Sequence, residues 1–565
     1  MFGDTIKKHV GEFFMLITKQ NSKRLILLGI TFTSFILVLI LRLFYIQVIQ
    51  HNFYISEVNK QRQINLPINS GRGMIYDRNF IPLIDRKEKN MAIIFPQLFN
   101  ISYDNLQYLS QLTGRNEKDL AKQISNSYYP IEISIDKEIN WQDKRNLTTR
   151  GLFIVNKKQR YEDYPILSHA IGYINQVDNK GMSGVEKAFD SILMGHPTEI
   201  LTITLDGRKQ PLPGEKYSVV NSPIRKKDIR LTIDYHFQNI VENVMDKHKY
   251  DGAIIISSVE TGEILALVSR PNYNPNSIVN HIKSDGDELY NKAIQMAFPP
   301  GSIFKIVLAA EAIEKKIIKL DDVFYCNGYE AIENVKIKCS AHKNANNIKI
   351  TFKEAFAQSC NSAFIQLGQM LDVNNIIDMA RRLNLCSKVD IGLIEEEVGG
   401  LPMGDSLLGP AIANISIGQG DIEVTPIQVN QLTQIIANGG VKVQLHLLKD
   451  IVENYNTVEI PESRKQTRVL SYQTSTILQE LMGAVMEGGT GNKIGELSNI
   501  TAGKTGTAES SIHGQTIQHA WFTGYYPKNN PQYAITVFLQ GGGSGGAVAV
   551  PAFKNIIEGI VNLDQ

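Results

Sequence analysis

The stretch Phe298-Pro299-Pro300-Gly301-Ser302-Ile303-Phe304-Lys305, followed at once by IVLAAEAIEKKI, ends one element and begins another. Two prolines and a glycine halt the chain, and the apolar run after them predicts a helix starting at Ser302. Residues three apart share a helix face, which puts the Lys305 amine within reach of the Ser302 hydroxyl. A serine at a helix N-terminus also sits at the positive end of the dipole, beside unpaired N–H groups that favour a developing oxyanion. Lys305 can act as its base only when neutral, and burial in an apolar pocket is the physical route to that state.

S-x-x-K is a weak pattern alone, because Ser340-Ala341-His342-Lys343 repeats it. That copy lies in the polar run CSAHKNANN without a helix start and reads as a solvated loop. Two later segments favour Ser302 over it. Ser359-Cys360-Asn361 separates the helical runs FKEAFAQ and SAFIQLGQML, placing a hydroxyl and a carboxamide at a break where they can face a cleft. The hydroxyl suits proton relay to a leaving group, and the amide suits orientation of a substrate backbone. Lys504-Thr505-Gly506-Thr507 lies in the extended run ITAGKTGTAE. An edge strand there would offer a cation and a hydroxyl to a substrate carboxylate, with Gly506 letting a ligand backbone come close.

Outward from these motifs, GAIIISSVETGEILALVSR reads as a hairpin about Glu260-Thr261-Gly262-Glu263. HAWFTGYYP and QYAITVFLQ read as a strand pair joined by the polar turn Lys528-Asn529-Asn530-Pro531. Strand pairs at both ends of one region, with helices between, predict an α/β (α+β) domain: an antiparallel sheet flanked by helices, over residues 229–565. Its start is marked by DIRLTIDYHFQNIVENVMDKH, a strand leading into a helix. Residues 46–228 alternate short extended runs such as EILTITLDG with polar turns and show no sustained helical period, so an elongated mixed module is expected there.

Leu25 to Leu41 is an uncharged apolar run (LILLGITFTSFILVLIL) that resumes after Arg42 as LFYIQVI. That length suits a single spanning helix over residues 25–45, with Arg42 snorkelling to the interface. Lys7, Lys8, Lys19, Lys23 and Arg24 precede it against only Asp4 and Glu12, which keeps a tail of residues 1–24 in the cytoplasm and exports the rest. The run is longer than a signal-peptide core and no A-x-A-like site follows, so an uncleaved anchor is expected. Lys plus Arg is 58 against Asp plus Glu of 57, so the chain has no basic field for a phosphate backbone, and nucleic acid is excluded as a partner. A chain of 565 residues is too long for one ordinary core.

The set S-x-x-K, S-x-N and K-T-G, in that order, marks serine acyl-enzymes that recognise penicillin. With these motifs the chain resembles the class B penicillin-binding proteins, and RGMIYDRN (Arg72 to Asn79), RYEDYPILSHAIGY (Arg160 to Tyr173) and GMSGVEKAFD (Gly181 to Asp190) look like that family's non-catalytic, dimerisation-type pedestal. The resemblance implies a β-lactamase-like catalytic fold without a cofactor. It further implies that Ser302 is acylated by the penultimate D-Ala of a peptidoglycan stem peptide. The backbone N–H groups of Ser302 and Thr507 would form the oxyanion hole, and an amine of a neighbouring stem would release the acyl group as a crosslink. β-Lactams would be ligands of the same site. Ile417-Gly418-Gln419-Gly420 and the PPGS start look like penicillin-binding protein 2 of the elongation type, whose membrane partner would be a polytopic glycan polymerase. Asn361 departs from the S-x-D of some members, which keeps the division type open.

Other readings compete. A β-lactamase would use Glu395, Glu396 or Glu397 to activate water, although IGLIEEEVGGLPMG reads as a polar loop. A β-lactam sensor would want a cytoplasmic output domain, which is not recognisable here. Gly503-Lys504-Thr505 does not complete a phosphate-binding loop, since Ser498 stands where that motif wants glycine. Gly542-Gly543-Ser544-Gly545-Gly546 matches a nucleophile elbow, yet no histidine follows it. Cys326, Cys339, Cys360 and Cys386 are too few for a disulfide framework. Cys326, Cys339 and His342 match no zinc spacing, so a disulfide or free thiols are expected and no metal ligand is assigned.

Overall fold

The computed structural model describes residues 3–69, 71–135, 151–163, 165–175, 178–195, 199–206, 218–221, 227–282, 286–333, 335–343, 346–461, 465–512 and 515–563. Tyr164, Gly207, Asn344 and Ala345, each within a segment quoted above, lie outside them. The chain forms two compact units. One comprises residues 1–68, 91–155 and 199–222; the other comprises 69–90, 156–198 and 223–565.

The second unit is built on five antiparallel strands. In chain order they are β1 (Gly252–Ser258), β2 (Ile264–Arg270), β3 (Ala502–Ile512), β4 (Gln515–Tyr526) and β5 (Tyr533–Leu539), arranged β2-β1-β5-β4-β3. β1 pairs β2 as the expected hairpin, and β4 pairs β5 across the polar turn. Ile254 and Ile256 of β1 join one buried cluster while Ala253 and Ile255 join another, so alternate side chains of one strand feed cores on both faces. β3 is an edge, paired on one side only, and K-T-G lies on it with Lys504 opposite Thr523.

Helix α1 (Lys305–Glu314) is buried from Lys305 to Ile313; it is apolar on every side apart from Lys305 and Glu311, as a helix with no solvent face requires. A 3-10 turn, Gly301–Phe304, leads into it, so the helical conformation begins at the predicted place. Helices α2 (Phe352–Ala357) and α3 (Asn361–Met370) flank the S-x-N break, and a capping box of Thr351 and Glu354 starts α2. Helix α4 (Tyr472–Gly488) lies against β3 and α2, and its C-terminal end turns through Gly489-Thr490-Gly491 towards K-T-G.

In the first unit, Tyr103–Thr113 and Glu117–Ser125 are helices within the stretch expected to lack a helical period. Leu106, Leu109 and Leu112, three residues apart, form an apolar stripe too sparse to stand out from the polar residues around it. Leu109, Leu112, Leu120 and Ile124 are buried in one cluster, and Gly114 takes the left-handed conformation (φ 68°) that ends the first helix. The helix Gly3–Phe44 contains the apolar segment, and the most apolar 18 residues within the 28-residue span Ser22–Ile49 have a mean hydropathy of 2.4 with none of them buried. Roughly 20 such residues cross a bilayer core.

Candidate active site

Ser302 lies half-buried in the 3-10 turn, and glycines place it there. Gly301 has φ +53° and a Cβ at its position would stand 2.5 Å from the Thr507 carbonyl oxygen, so only glycine lets this turn touch β3. Gly418, in the IGQG segment, holds the other side: its carbonyl accepts from the Gly301 N–H at 3.0 Å, and its own Cβ would stand 2.1 Å from Gly301 O. Trp521 Nε1 donates to Pro299 O at 3.0 Å from β4. The Ser302 turn is thus clamped between β3, β4 and the loop at residues 417–420.

Lys305 is fully buried, yet its amine does not bond Ser302. Nζ donates to Ser359 O at 2.8 Å, Ser359 Oγ at 3.2 Å and Asn361 Oδ1 at 2.7 Å. Three acceptors use all three protons of an ammonium, so the direct Ser302–Lys305 bond expected from helical spacing is not made in this arrangement. Burial nevertheless lowers the Lys305 pKa to about 8. Lys504, also fully buried, donates to Ser359 Oγ at 3.0 Å and to Thr505 O at 3.1 Å. Burial, and then the charge of Lys305, hold its pKa well below the usual lysine range. Since Ser359 Oγ accepts from both lysines, its own proton is left to point into the cleft.

Ser359 has φ +58°, a left-handed backbone that costs a non-glycine residue about 1–3 kcal/mol. Asn361 is committed to the protein: its Oδ1 takes the Lys305 proton and its Nδ2 donates to Lys338 O at 3.1 Å. Holding Lys305 and the Lys338 backbone is thus added to the role expected for its amide, for which the second Nδ2 proton remains. Gly506 also has a different reason from the one expected. A Cβ there would press Ile303, Pro300 O and Trp521, so glycine admits the nucleophile turn rather than a ligand. Thr507 is exposed and accepts from Gly545 N at 3.2 Å, while Thr505 is nearly buried with its Oγ1 2.5 Å from Thr490 Oγ1. No sequence signal points to Thr490, since Gly-Thr-Gly past a helix reads as an ordinary C-terminal turn.

The competing readings meet the geometry poorly. Gly503-Lys504-Thr505 is strand, not a phosphate loop. Gly545 belongs to the turn before the last helix, where a Cβ would stand 2.2 Å from Gly506 O, so that glycine is needed for close packing beneath β3. Glu396 accepts the N–H groups of Val389, Asp390 and Ile391, and Glu395 lies 3.4 Å from Lys187. These two carboxylates are engaged with a loop backbone and a lysine.

The cysteines take the free-thiol form of the two expected, but they cluster in a way that spacing did not show. All four are unbridged, and Cys326, Cys339 and Cys360 come together with His342, their ligand atoms all within 4.8 Å of one another. Three sulfurs and one imidazole are the donor set of a tetrahedral zinc site, so these four could hold a metal where spacing assigned none. Cys339 Sγ lies 3.7 Å from Cys360 Sγ; sharing one proton pushes the Cys339 thiol down and the Cys360 thiol up. Cys360, the middle residue of S-x-N, is the fourth ligand that spacing alone could not supply. The second S-x-x-K is thereby explained as the turn Cys339-Ser340-Ala341-His342, with Ser340 exposed.

Two sequence families match the chain: "Penicillin binding protein transpeptidase domain" over residues 252–558 and "Penicillin-binding Protein dimerisation domain" over residues 67–231. The chain belongs to the penicillin-binding protein transpeptidase family, in its class B form with a dimerisation domain, and is a membrane-anchored peptidoglycan D,D-transpeptidase. It is 27% identical to stage V sporulation protein D of Bacillus subtilis, covering 95% of this chain and 85% of that one. It is 28% identical to the peptidoglycan D,D-transpeptidase FtsI of Buchnera aphidicola (93% and 92%) and 26% identical to MrdA of Acinetobacter baumannii (91% and 84%). Among solved structures, a chain described under "structural coordination of polymerization and crosslinking by a peptidoglycan synthase complex" superposes with a TM-score of 0.69 at 23% identity, covering 95% of this chain and 98% of that one. Penicillin binding protein 3 of Mycobacterium tuberculosis with aztreonam gives 0.64 at 22% (89% and 97%).

Proposed function

We propose that Ser302 is the nucleophile of this transpeptidase, acylated by the penultimate D-Ala of a stem peptide and released by an amine of a neighbouring stem. The observation that carries this is the convergence of Lys305, Ser359, Asn361 and Lys504 within 3.2 Å hydrogen bonds beside the Ser302 turn. Ser302 Oγ attacks the carbonyl carbon as its proton leaves for Lys305, the oxyanion forms against the N–H groups of Ser302 and Thr507, and Ser359 passes its proton to the departing D-Ala nitrogen as Lys305 returns one to Ser359 Oγ. Lys504 fixes Ser359; Thr505 and Thr507 present hydroxyls to the substrate carboxylate, and Gly506 seats the nucleophile turn. Labelling of the full-length protein with a fluorescent penicillin is expected for wild type and lost in Ser302→Ala; a labelled mutant would sink the assignment.

The domain reading is a cytoplasmic tail of residues 1–24, an anchor at 25–45, a pedestal at 46–228 and the transpeptidase at 229–565, with the catalytic part outside the cytoplasm across the cell's inner membrane. The basic residues before the anchor support this orientation. Elongation is the favoured role, supported by the likeness to MrdA proteins, with division as the alternative that the FtsI likeness supports. Depletion in the native cell should give rounding in the first case and filaments in the second. A polytopic glycan polymerase is the proposed membrane partner, supported by the description of the synthase complex whose chain this one resembles.

A further inference from the structure

The turn after α4 joins two motifs that are far apart in sequence. Thr490 N donates to Ala357 O at 3.1 Å, two residues before Ser359, while Thr490 Oγ1 lies 2.5 Å from Thr505 Oγ1 on β3. The turn has no slack. A Cβ on Gly489 would stand 2.2 Å from Ala357 O, and one on Gly491 would stand 2.5 Å from Met486 Sδ. Gly491 N is tied to Val485 O at 3.0 Å, and a Cβ on Gly546 would meet Thr490 O at 2.8 Å. Thr490 is therefore held by α2, α4 and the glycine-rich turn at once, with its hydroxyl delivered to K-T-G.

Lys504 places two of its three protons inside the protein, on Ser359 Oγ and Thr505 O, so the hydroxyls beside it share in the direct contacts to an anionic group on this strand. Two hydroxyls 2.5 Å apart share one proton between them and leave the other to a ligand. We propose that Thr490 is a positioning residue for substrate carboxylate recognition: it donates to Thr505 Oγ1 and so turns the Thr505 proton towards the terminal carboxylate of a stem peptide or the carboxylate of a penicillin. This rests on the transpeptidase site proposed above and adds a specificity element to it. The ligand class is an acyl donor with a free carboxylate, and the contact is of the charge-assisted kind that a neutral ester reproduces only weakly.

The test uses full-length protein in detergent, with a penicillin and its methyl ester as probes, and compares wild type with Thr490→Val and Thr490→Ser. Valine keeps the branched shape and removes the hydroxyl; serine keeps the hydroxyl. Thr490→Val is expected to slow acylation by the free-acid penicillin about tenfold, chiefly by raising its half-saturating concentration, as befits loss of one hydrogen bond to a charged group. The methyl ester should react with both at nearly the same rate, and Thr490→Ser should stay within about twofold of wild type with both probes, the margin a retained hydrogen bond allows. Equal losses for acid and ester, or no loss in the valine variant, would overturn the proposal. Failure of the Ser302 reading is separable, because it would show as labelling of Ser302→Ala whatever occupies position 490.

Discussion

At the scale of single residues, the proposed acylation turns on the balance at Lys305. Burial favours the amine, and the nearby thiols of Cys360 and Cys339 favour the ammonium by less; the outcome is a pKa of about 8, below the ordinary lysine value. A base must be unprotonated, so acylation of Ser302 should rise with pH and level off above about 8. The second-order rate of penicillin acylation, measured from about pH 6 to 10 at constant ionic strength, should show that single rising limb. A rate flat through that range, or rising only near the ordinary lysine value, would remove Lys305 as the base. Ser302, Lys305, Ser359 and Lys504 are legible in the sequence as a set because motif order carries them. The bonds they make are not, since helical spacing cannot show that Ser359 O and Asn361 Oδ1 compete with Ser302 for one amine. The neighbours of Gly506 and Asn361 are not legible either, because which side chains and carbonyls touch them is set by elements distant in the chain.

At the scale of elements, the S-x-N break is also the end of a cysteine cluster. Cys339 arrives on the turn after the strand Val335–Lys338, and Cys326 ends the strand Val323–Cys326. Cys360 caps α3 between Ser359 and Asn361. A metal on these ligands would tie the turn that carries His342 to the backbone that holds Lys305 and Lys504 through Ser359. Metal analysis of purified protein should return about one zinc per chain, as a closed site of four N/S ligands predicts. Removal by a strong chelator, or Cys339→Ser, should lower the melting temperature and slow penicillin acylation together, since the site and the catalytic break share residue 360. Protein free of metal, or carrying a bridge between Cys339 and Cys360, would refute this. Three of the four ligands are visible as a sequence cluster; the fourth is hidden inside a catalytic motif, and only the packing of α3 against the hairpin region unites them. The helix pair at residues 103–125 escapes a sequence reading for a simpler reason: its apolar stripe is three leucines among polar residues, easily read as an irregular extended stretch.

At the scale of the whole molecule, motif content and packing divide the chain differently. The family match and the sequence texture both set the catalytic segment after residue 228, yet residues 69–90 and 156–198 pack within the same compact unit as the sheet. Ile75, Leu83, Ile84, Leu167, Ile171, Val185 and Leu193 share a buried cluster with Ile229, Ile255, Ile264, Leu267, Ile294 and Leu445. Ile75–Tyr76 is a strand beside Asp228–Leu231, paired in parallel. Arg72, fully buried, is held by Glu186 at 2.6 Å, and Arg160 and Tyr161 bond the same carboxylate. The pedestal motifs quoted from the sequence are thus part of the catalytic unit's own core, which periodicity could not reveal because each contributes only a few residues to it. Fully burying a large aliphatic side chain is worth about 1.5–3 kcal/mol, so exposing even the partners of these seven would cost on the order of 10 kcal/mol, comparable with the whole net stability of a domain. A chain beginning at residue 228 should therefore be insoluble or melt far below the full protein and fail to bind fluorescent penicillin, although every catalytic motif is present. A chain beginning at residue 46 should lose membrane attachment and keep its acylation rate within about twofold, since no residue of the Ser302 site is removed. Cooperative melting and normal penicillin labelling of the shorter chain would show that residues 69–90 and 156–198 decorate the catalytic unit instead of completing it.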